Sequence, residues 1–585
     1  MKIIRGLLVL ITLVSAQSDA DRRFERLAEE YLDQFPVLSP VSATSLGDHR
    51  YDHLVNEVSA QARAEGVAFN RKFLVRLEAI SWGDLSRAHQ VDAALLQNSL
   101  RSGIWWTEVL KEWSWNPLHY TGLAGGAIYS LMAREFAPVE ERLLRVADRL
   151  EQYPRLYIQI RETLVPERVP KIHAQTAVKQ NRGVQSILDN LVVPHVNKLK
   201  KRDRKRLNQA MAVAREENEK HQQWLEKELL PRAAGQFRIG AEMYDKKLAF
   251  TLQTPLTRQQ IMAKAESELV KTRHHMYEIS MGVYRELHPY TEFSDAPSEA
   301  YQQAVIRAAL EEAYREIPEK DGIIDFARSS IKIAEDFVLK AEILTLPPDP
   351  VEIIVMPEFR RGVTLAYCDS PGPLETGLKT FYAVSPLPAE WTEKQVHSYL
   401  REYNQRSVHN LTIHEAMPGH FVQLAHSNRY TSTLRSVLSS GVFIEGWAVY
   451  VERVFLEEGF LNHDPLMQLI ILKWYLRAIA NAMMDQKIHA GEMSYEEAME
   501  LMIEDTFQEE REAAAKWVRA QLTSAQLSTY FVGFLEHYSL RQEVEKRRGQ
   551  KFVLKDYHDE ELSFGSPPVQ YVRALMLDEP IPKRK

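Results

Sequence analysis

The stretch "TIHEAMPGHFVQ", Thr412 to Gln423, decides how the rest of the chain is read. His414 and Glu415 open it as a zinc-peptidase helix opens, an imidazole ligand followed by a carboxylate base. In that pattern a second histidine follows four residues later, and at about 100° per residue it returns to within about 40° of the first. Here the next histidine is His420, six residues on, which a regular helix would carry about 240° round, away from His414. Pro418 forbids that regular helix in any case, because it has no amide for the carbonyl of His414 and its ring crowds that carbonyl. It also drives Met417 out of helical torsions, while Gly419 is free to take left-handed ones. If Pro418 and Gly419 bulge outward as two surplus residues, His420 falls into the place of a fourth-position ligand. The plainer alternative is that "HEAM" ends one helix, Pro-Gly turns, and His420 caps the next.

Downstream, "SSGVFIEGWAVYVERVF" places Glu445 on an apolar helical stretch, where a lone carboxylate is costly unless paired or ligating. Glu452 follows seven residues later, about 20° away around the helix. Two carboxylates on one face suit a metal ligand and an acceptor that orients a ligating histidine. An exposed acidic stripe is the alternative, and Phe443, Trp447 and Tyr450 beside them argue against it. His409 and His426 are spare imidazoles near the motif, read as structural or supporting groups rather than ligands.

Composition sets the limits around this motif. The chain has 585 residues, 45% hydrophobic and 26% charged, with a net charge of -7, which is ordinary for a globular protein and gives no sign of a nucleic-acid binder. Its longest basic run, "KLKKRDRKR" from Lys198 to Arg206, leads into the acidic "REENEKHQQWLEKE" and reads as a solvated helical face. The first residues carry Lys2 and Arg5, an apolar run from Gly6 to Val14, then Ser15 and Ala16, the order of a secretory signal cleaved after Ala16. That run is about half the roughly 20 residues needed to span a bilayer, so no stable membrane insertion is expected. Cys368 is the only cysteine, which excludes an intramolecular disulfide and a lipidated first residue after the signal. A disulfide-free exported protein fits a bacterial periplasm.

From Asp21 to about Leu344 apolar residues recur at three- and four-residue steps, the pattern of helices, with short Pro or Gly breaks. The tryptophans of "GIWWTEVLKEWSWNPLHY" read as core residues at helical spacing rather than a ligand platform. Between Pro347 and Pro388 the character changes, and "EIIVM", "TLAYC" and "TFYAV" read as short strands of a small antiparallel sheet near residues 350–385. A sheet just before a His-Glu helix offers an edge to an extended peptide, or merely packs on the helices.

With these residues in view, the sequence resembles a bacterial family numbered 885 among domains of unknown function, whose signature is similar to "HEAMPGHFVQ" followed by "EGWAVY". The likeness extends over nearly the whole mature chain, through "FRIGAEMYDKKL" from Phe237, "LAYCDSP", and the tail "DYHDEELSFGSPPVQYVR" from Asp556. The family in turn resembles the helical zinc peptidases that include thermostable carboxypeptidases, angiotensin-converting enzyme and the oligopeptidases. That resemblance implies a mainly α, two-lobed, zincin-like body split by a deep channel, one catalytic unit over residues 17–585. Residues 17–345 would form a mostly helical lobe and 346–585 the lobe with the metal site. It implies His414, His420 and Glu445 as ligands of one zinc ion per chain and Glu415 as general base. Tyr530 in "QLSTYFVG" and His558 in "DYHDE" are the implied oxyanion donors, and Arg541 and Tyr367 the substrate-binding candidates. The chain departs from the family pattern in lacking Pro-Gly before Tyr530 and in carrying Cys368 where a second tyrosine often follows Tyr367.

The expected function is an exported zinc metallopeptidase acting on short peptides, of carboxypeptidase or oligopeptidase type. The alternatives are a catalytically silent peptide-binding or scaffold protein of the same fold, and a zinc hydrolase of a non-peptide amide. Oligomeric state is left open.

Overall fold

Apolar residues at helical spacing become helices over most of the chain, and side-chain caps mark where many of them begin. Ser18, Ser59, Ser86, Thr257, Ser298, Thr392 and Asn404 each accept an amide from the first turn of the helix that follows, which satisfies a donor the helix itself cannot. The structure, a computed structural model, describes residues 18–320, 322–357, 366–375, 377–388 and 391–583. The expected signal segment and its cleavage point after Ala16 lie outside the described residues. No helix among the described residues is long and apolar enough to cross a membrane.

Two large apolar cores organise the protein. One lies within Val41–Leu229 and the other runs from Tyr244 to Val572. The helices of residues 241–340 share a core with the histidine motif, and two smaller clusters join residues before Leu110 to Leu434 and to Tyr571, Ala574 and Ile581. The two halves are tied by a buried pair: Arg435 Nε donates to Asp92 Oδ1 at 2.5 Å, with Ser432 Oγ on the other oxygen at 2.7 Å. The run Lys198–Arg206 leads into an exposed helix start, with Arg206 paired to Asp148 and Glu151. The four tryptophans of that stretch are half-buried to exposed rather than core, Trp106 being 39% exposed.

The sheet consists of β1 (Val351–Val355), β2 (Ala366–Asp369) and β3 (Thr380–Val384) in the order β1-β3-β2. It is mixed: β2 and β3 pair antiparallel as expected, but β1 and β3 pair parallel. "TFYAV" is the most buried of the three strands and takes the centre, with β1 and β2 on either side of it.

Six helices build the candidate site: α1 (Gln405–Glu415), α2 (His420–Ser427), α3 (Gly441–Glu457), α4 (Pro465–His489), α5 (Glu510–Leu522) and α6 (Ser528–Arg548). Helices α3 and α6 cross with their backbones in contact. A Cβ on Gly446 would stand 2.4 Å from Gly533 Cα, and one on Gly533 would stand 2.1 Å from the carbonyl oxygen of Val442. Only glycine fits on either side, and the crossing sets Glu445 on α3 against Tyr530, one turn before Gly533 on α6. Asp485 of α4 fixes the start of α6 by accepting from the amides of Ala525 and Ser528 at 3.0 and 3.2 Å. Gly533→Ala is expected to destabilise the protein by about 1–3 kcal/mol through overpacking, read as a lower urea midpoint. An unchanged midpoint would show that the crossing has slack.

Candidate metal centre

Helix α1 stops at Glu415, and Ala416 leaves helical torsions at φ -127°, ψ -70°. The chain then turns through Met417, Pro418 and Gly419 and re-enters helix at His420. Without an amide at Pro418, the break closes on other donors. The Ala416 and Met417 amides both reach the Thr412 carbonyl at 2.9 and 3.0 Å, and the Gly419 amide reaches back to Ile413 at 2.9 Å. Gly419 is needed for space rather than for a left-handed torsion. Its φ is -69°, and a Cβ there would lie 1.8 Å from the carbonyl oxygen of His414. The indole of Trp447 donates to the Pro418 carbonyl at 3.0 Å, bolting the turn to α3.

The break turns the two imidazoles toward each other, with ring centroids 4.8 Å apart and planes at 83°. Glu445 completes the group: its Oε2 lies 3.8 Å from His414 Nε2 and 3.4 Å from His420 Nε2. Single ligand atoms of these three residues all fall within 4.8 Å of one another, and among the described residues they are the only such group of three that could hold a metal ion. The buried Oε2 of Glu445 has no hydrogen-bond partner. A carboxylate oxygen left so, facing two imidazole nitrogens, fits a shared cation.

His414 is held between two carboxylates. Its Nδ1 faces Glu452 Oε1 at 2.7 Å, and Asn410 donates to the other oxygen of Glu452 at 2.8 Å. Since Glu452 accepts, Nδ1 carries the proton and Nε2 is presented to Glu445. Burial disfavours the imidazolium, but Glu445 and Glu452 outweigh it and raise the His414 pKa to about 10. Burial likewise opposes the Glu445 carboxylate, yet His414 and His420 hold its pKa well below the ordinary range.

Glu415 is buried at the end of α1, where its charge reaches Cys368 on β2 and Tyr382 on β3; burial first, then this carboxylate, raises the pKa of both. On α6, the Tyr530 ring stacks on His414 with centroids 6.3 Å apart. Its hydroxyl oxygen accepts from Arg519 of α5 at 3.0 Å and from Gln526 at 3.4 Å. Arg519, Gln526 and Asn410 are absent from the sequence reading. Asn410 sits one turn before His414 and was findable by spacing, whereas "EREAAAKWVRAQL" gives no sign that Arg519 faces a site.

Three expected residues are not brought to this group. His558 is fully buried and uses both ring nitrogens elsewhere: Nδ1 donates to the Ile343 carbonyl at 2.8 Å, and Nε2 accepts from Tyr450 at 2.7 Å. It ties helices together and has no proton to offer an oxyanion. Arg541 is paired with Glu457 at 2.8 Å. Tyr367 shares a strand face with Asp369, toward Tyr129, whose hydroxyl donates to Asp369 at 2.7 Å; alternation along β2 turns Cys368, not Tyr367, toward Glu415. His409 bonds Ser330 and His426 the Thr345 carbonyl, both away from the three donors.

The model described as "Bacterial protein of unknown function (DUF885)" matches residues 40–576, and the chain belongs to that family. A solved structure of a candidate lipoprotein of unknown function from Shewanella oneidensis is 32% identical, covers 95% of this chain and 99% of its own, and superposes with a TM-score of 0.78. One of a candidate lipoprotein from Colwellia psychrerythraea, 19% identical, covers 96% and 99% with a TM-score of 0.76 and shares the fold. No curated protein matches the chain.

Gly419→Ala is expected to destabilise the protein by about 2 kcal/mol or more, since its Cβ cannot enter without parting α1 from the turn. Thermal and urea unfolding measure this, and wild-type stability would mean the close approach to His414 is not required.

Proposed function

We propose that this DUF885 protein is an exported zinc-dependent hydrolase of short peptides, with His414, His420 and Glu445 as the zinc ligands and Glu415 as general base. The observation that carries the reading is the convergence of two imidazole nitrogens on a buried, partnerless carboxylate oxygen directly beside a further buried carboxylate. Three protein ligands leave a position open, as catalytic zinc sites do and structural ones do not. Mixed imidazole and carboxylate donors favour zinc among common metals.

When bound, zinc supplies a Lewis acid and acidifies water. Glu415 takes the proton of the attacking water on its carboxylate and returns it to the leaving amine. The Tyr530 oxygen already accepts from Arg519 and Gln526, so its own O–H is free to donate to the oxygen of the scissile carbonyl as charge develops there. Glu452, steadied by Asn410, keeps the His414 ring in one tautomer and orientation. The ligand side chains are only 10%, 11% and 21% exposed, which keeps a folded protein surface from reaching them and favours small or extended substrates. The leader-like first residues and the Shewanella relative's description as a candidate lipoprotein support a place in the cell envelope.

Purified protein is expected to hold about one zinc per chain, and Glu445→Ala to lose it; full occupancy in that variant would mean another third ligand. Glu415→Gln is expected to keep the metal while peptide turnover falls by about 10²–10⁴-fold. Turnover at the wild-type rate would sink the base assignment, and a fully loaded protein that cleaves nothing in a mass-spectrometric peptide screen would make it a binding protein. Glu452→Gln should weaken zinc by about 10–100-fold in chelator competition, and undiminished affinity would reduce Glu452 to a packing role.

A further inference from the structure

The cations packed around the candidate centre, buried or half-buried, are paired with carboxylates, and one is not. Arg477 pairs with Glu402 and Glu512 at 2.6 and 3.5 Å, Lys473 with Glu402 at 2.8 Å, Lys516 with Glu512 at 3.7 Å and Arg541 with Glu457 at 2.8 Å. This is the rule for charges taken out of water. Arg519 breaks it. Among the described residues no carboxylate oxygen lies within 4.0 Å of its guanidinium, and its bonds go to neutral acceptors, the Tyr530 hydroxyl at 3.0 Å and Gln526 Oε1 at 3.3 Å. Both leave from Nη2, so Nε and Nη1 keep three N–H donors without a described protein acceptor. Glu445 acts on Arg519 only at longer range and is itself turned to the two histidines.

We infer that Arg519 is the seat for the carboxy-terminal carboxylate of a peptide substrate, which makes the protein an exopeptidase working from the carboxy end. The inference rests on the peptidase reading above. A guanidinium offers a carboxylate two parallel hydrogen bonds, and Arg519 alone among these cations has no carboxylate partner within ion-pair distance. Distance sets the cut. Arg519 touches the same phenol oxygen that faces the scissile carbonyl, and a residue spans at most about 3.3–3.6 Å. A carboxylate held there leaves room for one or two residues beyond the bond cleaved. Helix α5 thus assigns the exo preference, and Arg541, which the sequence singles out for this task, is spent on Glu457.

The same anion seat could take an acidic side chain, and the test separates the two sources. Full-length protein carrying Glu415→Gln, which does not consume its ligand, is titrated by calorimetry with N-acetyl-Ala-Phe-Ala, with its carboxy-terminal amide, and with that amide ending in Glu instead of Ala. The free acid is expected to bind about tenfold or more tighter than its amide, and the Glu-bearing amide no better than the plain one. In Arg519→Met the ratio of acid to amide should fall to about one, and in Arg519→Lys it should fall several-fold, as a point charge replaces a fork. Equal binding of acid and amide, a ratio that survives Arg519→Met, or tight binding of the Glu-bearing amide overturns the assignment. If Arg519→Met does not fold, Arg519→Lys decides: a several-fold fall supports the seat and an unchanged ratio overturns it. An intact preference in a zinc-loaded protein that cleaves no peptide would sink the peptidase reading and leave the seat standing.

Discussion

One imidazole clamped between two carboxylates of a single buried helix is the interaction on which the centre depends. Glu445 and Glu452 lie two turns apart on α3, and His414 bridges them, Nδ1 to one and Nε2 toward the other. That clamp fixes how α1 lies on α3, and with it the position of Glu415, the next residue along. The turn at Pro418 then needs only to bring His420 under the same carboxylate, and the Trp447 indole on α3 holds it there. The glycine contact between α3 and α6 carries the constraint one layer further, since it sets how near Tyr530 can come to His414.

The surroundings follow a stricter electrostatic economy than an ordinary core. Glu402 is almost fully buried and accepts from Lys473 and Arg477 at once, and Glu512 shares Arg477. Each of these charges would be prohibitive alone and is tolerable because its partners are equally buried. Against that background three groups at the candidate centre stand without such a partner: Glu445 Oε2, His420 Nδ1 and the Nε–Nη1 edge of Arg519.

How much of this was legible in the sequence depends on whether the signal was local. Counting helix angles from His414 to His420, and noting what Pro418 removes, was enough to require a broken helix, and the seven-residue step from Glu445 to Glu452 was enough to put both on one face. The strand "TFYAV" was legible to its ends because apolar β-branched and aromatic residues stand between turn formers. The sheet order was not, since which strand takes the centre depends on relative burial, a property of the assembled core. His558 and Arg541 misled for the same reason: each is the right residue type on a late helix, but its partners, Ile343, Tyr450 and Glu457, are distant in sequence. Arg519 was invisible because a helical arginine looks the same whether it faces water or a ligand.

The three donor residues, Glu415 and the groups that orient them all lie between Asn410 and Glu452, on α1, the turn, α2 and α3. Closing so short a loop costs about 2 kcal/mol less than bringing together ends hundreds of residues apart, so the group is written locally, almost as a cassette. Tyr530, Gln526 and Arg519 come from a separate stretch beginning in α5, joined to the first through the Gly446–Gly533 contact and through His537 and Arg541, which bond Phe443 and Glu457 of α3. On the reading proposed above, the metal-holding residues and Glu415 reside on one segment and the donors to the carbonyl and to the terminal carboxylate on the other, so a change in what the second segment holds leaves the metal ligands themselves unaltered.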